Sequence, residues 1–354
     1  MPDSLPVRVA FVGVTHPHAH AWARAAHDRT DTLVSAVYDP DPNAARTFAA
    51  SYTAPVVSLD ALSNGGYSAA VIDGRNDQAR VLALTALNAG LPVFLEKTGG
   101  MSSVELQTVA DAAKTRGLLT QMGYFLRYSD AVSAARNAIT SGSLGTLTLA
   151  RFHCAIPHQA WTTMGTWFAD PTNVVGGFME AGCHMVDIVR HLLGEPTAVS
   201  AQAVPGRGNN HAEASLSVSL QFEDFVASLD FTAHEANTWN ENWSIELYGT
   251  EGTFRAGLTP SWAQMNQGSY CWSDVLEPPP EAEDERQQKA QRENVLLMQR
   301  GMDFFLRSLH GNSPAPVDAA NGAATLRLIE NIYASTSADA TSASQHHHFP
   351  AHSR

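Results

Sequence analysis

Two short stretches of the chain carry ionisable side chains where they could move a proton. Glu96 and Lys97 directly follow the apolar run 92–95, and a lysine at the carboxyl end of a buried strand points into the crevice where such sheets bind ligands. Glu180 and His184 are four residues apart and Asp187 follows three later, so a helix would place them on one face. A carboxylate beside an imidazole can act as a proton relay; an ordinary Glu–His pair on a helix surface is the alternative.

The loop after the first apolar run has the position, but only part of the composition, of a phosphate-binding turn. It reads Gly13-Val14-Thr15-His16-Pro17-His18, whereas a dinucleotide-binding turn has glycine at three positions. Asp39 ends the second apolar run. A carboxylate there accepts hydrogen bonds from ribose hydroxyls and repels a 2′-phosphate, which favours NAD over NADP. Alternatively, Asp39 only starts the turn 39–42.

Three histidines at alternate positions, His16, His18 and His20, could form a metal site or contact a bound ligand. Imidazoles at this spacing can converge in an irregular turn, but a continuing helix would point His18 away from the other two. No carboxylate or cysteine close in sequence completes a set. We therefore predict no metal site, and we favour contact with a cofactor phosphate or substrate; a solvated helix start is the alternative.

An alternation of strands and helices must position these residues in the first part of the chain. Apolar runs predict strands at 7–12, 33–38, 69–72, 92–95 and 118–122, with helix patterns between them. Such alternation predicts a doubly wound parallel sheet with right-handed crossovers. Residues 1–123 are therefore predicted to form a Rossmann nucleotide-binding domain.

From residue 144 the pattern changes to long alternating stretches, typical of an antiparallel sheet with one face covered by helices. The predicted strands are 147–156, 212–222, 225–234 and 244–247, and the predicted helices are 179–193, 296–309 and 319–333. The predicted fold class is α/β, with the Rossmann domain followed by an α+β domain over residues 124–334 that contains a large, mostly antiparallel open sheet. Residues 335–354 are rich in Ser, Ala and Thr and are predicted to form a flexible tail.

Composition excludes several classes of function. The chain has 22 Lys and Arg against 35 Asp and Glu, a formal net charge of −13, so it lacks the basic face that nucleic acid or an anionic membrane requires. No apolar run approaches the roughly 18 residues of a membrane span. The three cysteines are far apart and form no CxxC pair, which favours reduced thiols. We predict a cytoplasmic protein that acts on a small molecule.

The order and spacing of these motifs resemble the Gfo/Idh/MocA (glucose-fructose oxidoreductase, inositol dehydrogenase, rhizopine catabolism) family of oxidoreductases over most of the chain. The Glu-Lys of the family's EKP signature matches Glu96-Lys97, with Thr98 in place of proline. The signature GGG-x-x-D-x-x-x-H-x-x-D matches residues 176–187, with Glu180 replacing the usual aspartate. Further landmarks lie at residues 127–128, 142–145, 193–196 and 249–252.

The resemblance implies a Rossmann domain that binds NAD(P), an open sheet through which dimers or tetramers pair, and substrates such as sugars and cyclitols. By resemblance, Lys97 would hold and polarise the reacting hydroxyl, His184 would be the general acid and base, and Glu180 would orient or couple to His184. The residues expected to bind the cofactor are Gly13, Thr15, His16, Pro17, His18, Asp39, Asp73, Arg75, Glu96 and Lys97.

Histidine and tryptophan interleave in the stretches expected to line the substrate pocket. A pyranose stacks its C–H face on indole while its hydroxyls form hydrogen bonds, although a single tryptophan more often belongs to the core. Arg127 could bind a substrate carboxylate or phosphate, or form a surface ion pair. The expected substrate-binding residues are Lys97, Arg127, His153, His158, Trp161, Trp167, Glu180, His184 and His234.

Two departures from the family pattern leave more than one function open. The loop keeps only the first of three glycines, and Ala79 stands where the family usually has histidine. The preferred hypothesis is an NAD-dependent dehydrogenase or reductase of a sugar- or cyclitol-like hydroxyl, with NADP the less favoured cofactor. The alternatives are a lyase, hydratase or hydrolase that recycles tightly held NAD, and a non-catalytic ligand-binding regulator.

Overall fold

The computed structural model describes residues 5–157, 170, 173, 175–206, 213–235, 242–268, 271–311 and 315–343. In its first part, five parallel strands form a sheet in the order β2-β1-β3-β4-β5, which confirms the predicted Rossmann sheet. Helices connect the strands, as parallel pairing requires. The elements are β1 (Val7–Val12), α1 (Ala19–His27), β2 (Thr32–Tyr38), α2 (Pro42–Tyr52), β3 (Ala69–Ile72), α3 (Asn76–Asn88), β4 (Val93–Leu95), α4 (Ser103–Arg116) and β5 (Thr120–Met122).

The crevice of this sheet opens between the loops after β1 and β3, where the strand order reverses. Gly13 has a φ of +82°, and a Cβ there would lie 2.8 Å from the Cα of Gly74. The two loops therefore meet backbone to backbone, and glycine alone combines that conformation with that approach. At the end of β2, Asp39 holds the first loop, because its Oδ2 accepts a hydrogen bond from the Val14 N–H at 2.7 Å.

A second sheet follows, and within the described residues its eight strands lie in the order β13-β12-β11-β10-β6-β9-β8-β7. Neighbouring strands are antiparallel except β6 and β9, which run parallel, so the expected mostly antiparallel sheet is confirmed. Its strands are β6 (Leu147–Pro157), β7 (Ala198–Val204), β8 (Ser215–Gln221), β9 (Val226–Glu235), β10 (Asn242–Gly249), β11 (Thr253–Leu258), β12 (Ser261–Asn266) and β13 (Ser273–Leu276).

Several boundaries differ from the sequence-based expectation. The predicted helix at 179–193 opens as a π-helical turn, Phe178–Gly182, and continues as α6 (Cys183–Leu193). The last helix, predicted to end at residue 333, continues to residue 343. Some elements were not predicted, namely helix α5 (Asp130–Thr140) and strands β7, β11, β12 and β13. The unpredicted strands are short and mix polar with apolar residues, so pairing with neighbouring strands, rather than their own sequence pattern, stabilises them.

The last two helices pack against the first sheet. Helix α7 (Glu283–Ser308) lies on α1, and α8 (Ala319–Ala343) lies on α4 and also contacts β7 and α6. Phe305 of α7 is fully buried, with its ring centroid 5.5 Å from that of Phe94 in β4. The C-terminal helices thus tie both sheets together. No described helix is both long and apolar enough to cross a membrane.

Candidate active site

A buried ion pair joins the two motifs. Lys97 follows β4, and its peptide bond to Thr98 is cis; Glu180 lies in the π-helical turn before α6. Lys97 Nζ donates to Glu180 Oε1, and their side chains are only 3% and 1% exposed. π-Helical turns are frequent at functional sites. This one places the carboxylate against the carboxyl edge of the parallel sheet.

Both members of the pair are charged, because the attraction between them outweighs the cost of burying each charge. Burial raises the pKa of the Glu180 carboxyl, but the Lys97 charge and a hydrogen bond to His16 hold that pKa well below its usual range. Burial likewise lowers the pKa of Lys97, but Glu180 and Glu96 raise it above its ordinary value. Asn76 donates to Glu180 Oε2 at 2.7 Å. The carboxylate therefore fixes the ammonium in place.

His16 and His18 lie beside this pair. His16 Nε2 is 3.2 Å from Lys97 Nζ and 3.4 Å from Glu180 Oε1, and the His18 backbone N–H donates to His16 Nδ1 at 3.1 Å. Burial, reinforced by Lys97, lowers the pKa of His16 to about 4. His18 Nδ1 is 3.0 Å from Glu96 Oε1. Burial raises the pKa of Glu96, but His18 outweighs it and leaves the pKa at about 2.

His184 occupies an aromatic setting in α6. Its ring meets Phe125 edge-on at a centroid distance of 4.8 Å, and Trp243 at 6.2 Å. Burial, reinforced by the Lys97 charge, lowers the pKa of His184 to about 3, so the imidazole is neutral near pH 7. Its Nδ1 is buried and has no hydrogen-bond partner in the described part of the chain. A buried ring nitrogen without a partner is unusual in a folded protein, which makes this atom a candidate contact for a bound ligand.

Glu180 was expected to orient or couple to His184. In the described structure the hydrogen bonds of its side chain run to Lys97, His16 and Asn76. Its influence on His184 is through charge, because the carboxylate acts to raise the pKa of that imidazole. The direct contacts of Glu180 are therefore with Lys97 and the loop residues.

Arg127 and Asp187 form a second buried ion pair. Arg127 Nε donates to Asp187 Oδ2 at 2.8 Å, and a second contact joins Nη2 to Oδ1. The pair links the 3₁₀ turn Phe125–Tyr128 to α6. The guanidinium expected to bind substrate, or to form a surface ion pair, is thus held in a buried structural pair.

The loops after β1 and β2 fit the ribose end of a dinucleotide. Asp39 is buried at the end of β2; Thr15 Oγ1 donates to its Oδ2 at 3.2 Å and the Asp41 N–H to its Oδ1 at 2.8 Å. A carboxylate has further lone pairs for ribose hydroxyls. Arg75, also expected here, pairs with Asp77 at 2.7 Å.

Phosphate has fewer backbone donors in this loop than in a glycine-rich one. The His16 N–H donates to the Asp73 carbonyl at 3.1 Å, the His18 N–H to the His16 ring, and Pro17 has no N–H. The residues present therefore fit the ribose of NAD at Asp39, and they fit NAD again at the edge of the sheet beside Lys97. The phosphates of NAD would have to compete with hydrogen bonds inside the loop.

The remaining substrate candidates do not join the cluster. His153 alternates on β6 with the buried Phe152 and Cys154, so it lies on the opposite sheet face, where it lines a cavity of about 390 Å³ with Ser217 and Asp230. His234 is exposed on the same outer face of β9. His158, Trp161 and Trp167 lie outside the described residues.

Sequence reasoning missed two residues of the site. Asn76 begins α3 and bonds Glu180; its place just after β3, at the ligand edge of the sheet, was the available signal. Trp22 donates its indole N–H to Glu96 Oε2. Trp22 lies at a helical spacing that indicates a core residue of α1, and nothing in that spacing indicates a polar partner.

Comparison with known proteins agrees with this architecture. Residues 7–124 match the model of an oxidoreductase family with an NAD-binding Rossmann fold, and residues 132–255 match the GFO/IDH/MocA C-terminal domain. The trans-1,2-dihydrobenzene-1,2-diol dehydrogenase of Bos taurus is 25% identical over 243 residues, which cover 66% of this chain and 69% of that protein. The 2,7-anhydro-N-acetylneuraminate hydratase of Escherichia coli K12 is 24% identical over 294 residues, covering 79% and 75%.

A solved structure shares the whole fold. The WlbA dehydrogenase from Bordetella pertussis, in complex with NADH and UDP-GlcNAcA, superposes with a TM-score of 0.80 over 95% of this chain and 97% of that one, at 20% identity. The two domain models together span most of the chain, in the order in which its two sheets occur. The chain belongs to the Gfo/Idh/MocA family of oxidoreductases.

Proposed function

We propose that this protein is an NAD-dependent oxidoreductase that moves a hydride between nicotinamide and a hydroxyl or keto carbon of a sugar, cyclitol or related diol. The observation that carries the proposal is the Lys97 ammonium, which Glu180 holds at the crevice, together with His184, whose Nδ1 is unpartnered among the described residues and whose pKa the Lys97 charge lowers. The diol and sugar-nucleotide relatives support the substrate class.

The chain's own residues divide the work on the substrate. Oxidation of a hydroxyl requires that its proton leave as the hydride departs. Lys97 donates a hydrogen bond to the substrate oxygen and stabilises the negative charge that develops there. His184, being neutral, accepts the hydroxyl proton at Nδ1. Glu180 is a positioning residue, since it holds Lys97.

The cofactor contacts follow from the loops at the crevice. Asp39 would bind the ribose hydroxyls and disfavour a 2′-phosphate, with Gly13 and Thr15 beside it. NAD, when bound, supplies the hydride chemistry itself.

Cofactor binding is the first test. A thermal-shift titration with NAD, NADH, NADP and NADPH separately is expected to raise the melting temperature with NAD or NADH, because a ligand at ~100 times its Kd adds about 2.7 kcal/mol of stability. No shift with any of the four, in protein free of copurified nucleotide, would overturn the proposal in favour of a ligand-binding regulator.

Turnover is the second test, using a panel of polyols, diols and sugar acids. Lys97→Ala and His184→Ala should each lower kcat by about 10²–10⁴-fold, while the exposed His20→Ala control stays near wild type. Near-normal activity of either site variant would contradict these roles.

A second candidate function is favoured by one relative. The hydratase from E. coli covers more of this chain than the diol dehydrogenase does, which supports a non-redox reaction that uses and regenerates NAD. Product formation without net change in absorbance at the reduced-nicotinamide band would select this function over net oxidation.

A further inference from the structure

A second set of potential ligands lies at the same edge of the sheet. His16 and His18 come from the loop after β1, and Glu96 follows β4. One nitrogen or oxygen from each side chain lies within 4.8 Å of the other two. No carboxylate lies close to these histidines in sequence, since Glu96 is 78 residues from His18. The parallel sheet that contains both β1 and β4 brings Glu96 there. His20 is not part of the set, since it packs on Phe48 and Tyr52.

Neighbouring groups orient these side chains as they do around metal ions. The Trp22 indole N–H donates to Glu96 Oε2, which leaves Oε1 directed toward His18. The His18 N–H donates to His16 Nδ1 at 3.1 Å, so the His16 ring is held as well. A hydrogen bond on a ligating carboxylate is a common support of metal ligands.

The site also has more buried carboxyl groups than buried ammonium groups. Asp73, Glu96 and Glu180 are buried together, and among the described residues Lys97 is the one buried lysine beside them. Neither oxygen of Asp73 receives a hydrogen bond from the described residues. Buried carboxylates are costly unless cations or donors compensate them, and a divalent cation would do so.

We propose that His16, His18 and Glu96 bind a divalent transition-metal cation of the Mn²⁺ to Zn²⁺ series. Two imidazole nitrogens and one carboxylate oxygen suit such ions better than Mg²⁺ or Ca²⁺, which prefer oxygen ligands. Three protein ligands leave coordination positions for an oxygen of a molecule bound in the crevice.

The Lys97 ammonium competes with the cation, because it is 3.2 Å from His16 Nε2. Metal binding therefore shifts Lys97 from His16 toward Glu180. Two like charges at such a separation repel by several kcal/mol at the effective dielectric of a protein, so Lys97→Met should tighten metal binding by at least about 10-fold.

The test is metal binding, which is independent of whether the protein has the proposed oxidoreductase activity. A histidine run at residues 346–348 would bind metal by itself. The background is therefore the full chain with His346→Ala, His347→Ala and His348→Ala. After chelator treatment it is titrated with Co²⁺, followed by visible absorption, and with Zn²⁺ and Mg²⁺ by calorimetry.

We expect one Co²⁺ or Zn²⁺ per chain and no comparable Mg²⁺ binding. His18→Ala and Glu96→Gln should weaken binding at least about 100-fold, more than the loss of a supporting residue usually causes, and His20→Ala should not. His18 is partly exposed, so His18→Ala keeps the fold if Glu96→Gln does not; circular dichroism checks both.

Four results would overturn the proposal. These are absence of Co²⁺ and Zn²⁺ binding in the background chain, unchanged binding in folded His18→Ala, equal loss in His20→Ala, and binding in Lys97→Met, shown to be folded by circular dichroism, that is no tighter than in the background.

Discussion

At the scale of residues, the site depends on one lysine among several buried acids. Lys97 lies against Glu180, and Glu96 lies close enough to raise the pKa of Lys97 above its ordinary value. Burial, with the Glu96 charge, raises the pKa of Asp73 well above its ordinary value. Removing the lysine and removing one acid should therefore have unequal effects.

Replacing Lys97 should destabilise the fold more than replacing Glu180. Lys97→Met leaves buried carboxylates without their cation and is expected to cost about 3–5 kcal/mol of unfolding free energy. Glu180→Gln keeps an acceptor for Asn76 and leaves Glu96 to balance Lys97, so it should cost less. The double variant should be more stable than Lys97→Met alone. Urea denaturation in metal-free buffer measures all three, and additive effects would contradict this charge balance.

The pH dependence of stability should report the buried histidines. Burial lowers the pKa of His184 to about 3 and, with Lys97, that of His16 to about 4. Below about pH 6.5 the unfolded chain binds protons that the folded chain does not, so stability falls as pH decreases from about 6.5 toward 3. Each such histidine contributes up to about 1.4 kcal/mol per pH unit.

His184→Phe removes one of these groups and keeps an aromatic ring in the pocket. Between pH 6.5 and pH 4 the unfolding free energy of His184→Phe should fall less steeply than that of the wild type, by up to about 1.4 kcal/mol per pH unit. The exposed His20→Phe control should keep the wild-type slope. Chemical denaturation at several pH values gives the slopes. An unchanged slope in His184→Phe would mean that His184 is protonated in the folded protein.

Which residues form the site was more predictable than which of them touch. Motif order and spacing were enough to propose Lys97, Glu180 and His184, but the α-helical spacing rule did not indicate that the hydrogen bonds of Glu180 run to Lys97, His16 and Asn76. The π-helical turn that redirects it carries no sequence pattern. Glu96 reaches the loop histidines only because β1 and β4 share a sheet.

At the scale of elements, the 3₁₀ turn Phe125–Tyr128 and helix α6 frame the site from two sides. Phe125 packs on His184, and Arg127 binds Asp187 one turn further along α6. The ion pair thus sets where His184 lies relative to the end of the first sheet, although neither charged residue contacts Lys97 in the described structure.

Breaking this pair should destabilise the protein far more than breaking a surface pair. Asp187→Asn leaves a buried guanidinium without its counter-charge, at an expected cost of about 3–5 kcal/mol. The control is Asp28→Asn, whose partner Arg24 is 71% exposed and which should cost at most about 1 kcal/mol. Thermal and urea unfolding compare them; similar losses would mean that the Arg127 pair is effectively solvated.

Elements with a strong period were predicted, and those made by pairing were not. The strands of the first sheet are buried on both faces and appear as apolar runs. Strands β11 to β13 instead mix Gly, Ser and Gln with apolar residues, and their antiparallel ladders hold them in the sheet. No pattern within one strand contains that information.

At the scale of the whole molecule, the chain returns to its first domain after building its second sheet. Helix α7 covers α1, and α8 covers α4 while also contacting β7. A sequence boundary near residue 123 separates the strands of the two sheets, but the helices that complete the first core come from the end of the chain. The first domain should therefore depend on residues far beyond its own strands.

Phe305 and Phe304, adjacent in α7, test this dependence. Phe305 is fully buried and packs on Phe94 of β4, whereas Phe304 is 41% exposed and stacks on Tyr128. Phe305→Ala should cost about 3–5 kcal/mol through lost burial and the cavity left behind, and Phe304→Ala clearly less. If α7 completes the first core, Phe305→Ala should also increase hydrogen exchange in β4 and α1. Protection there equal to that in Phe304→Ala would mean that the first sheet is stable without this helix.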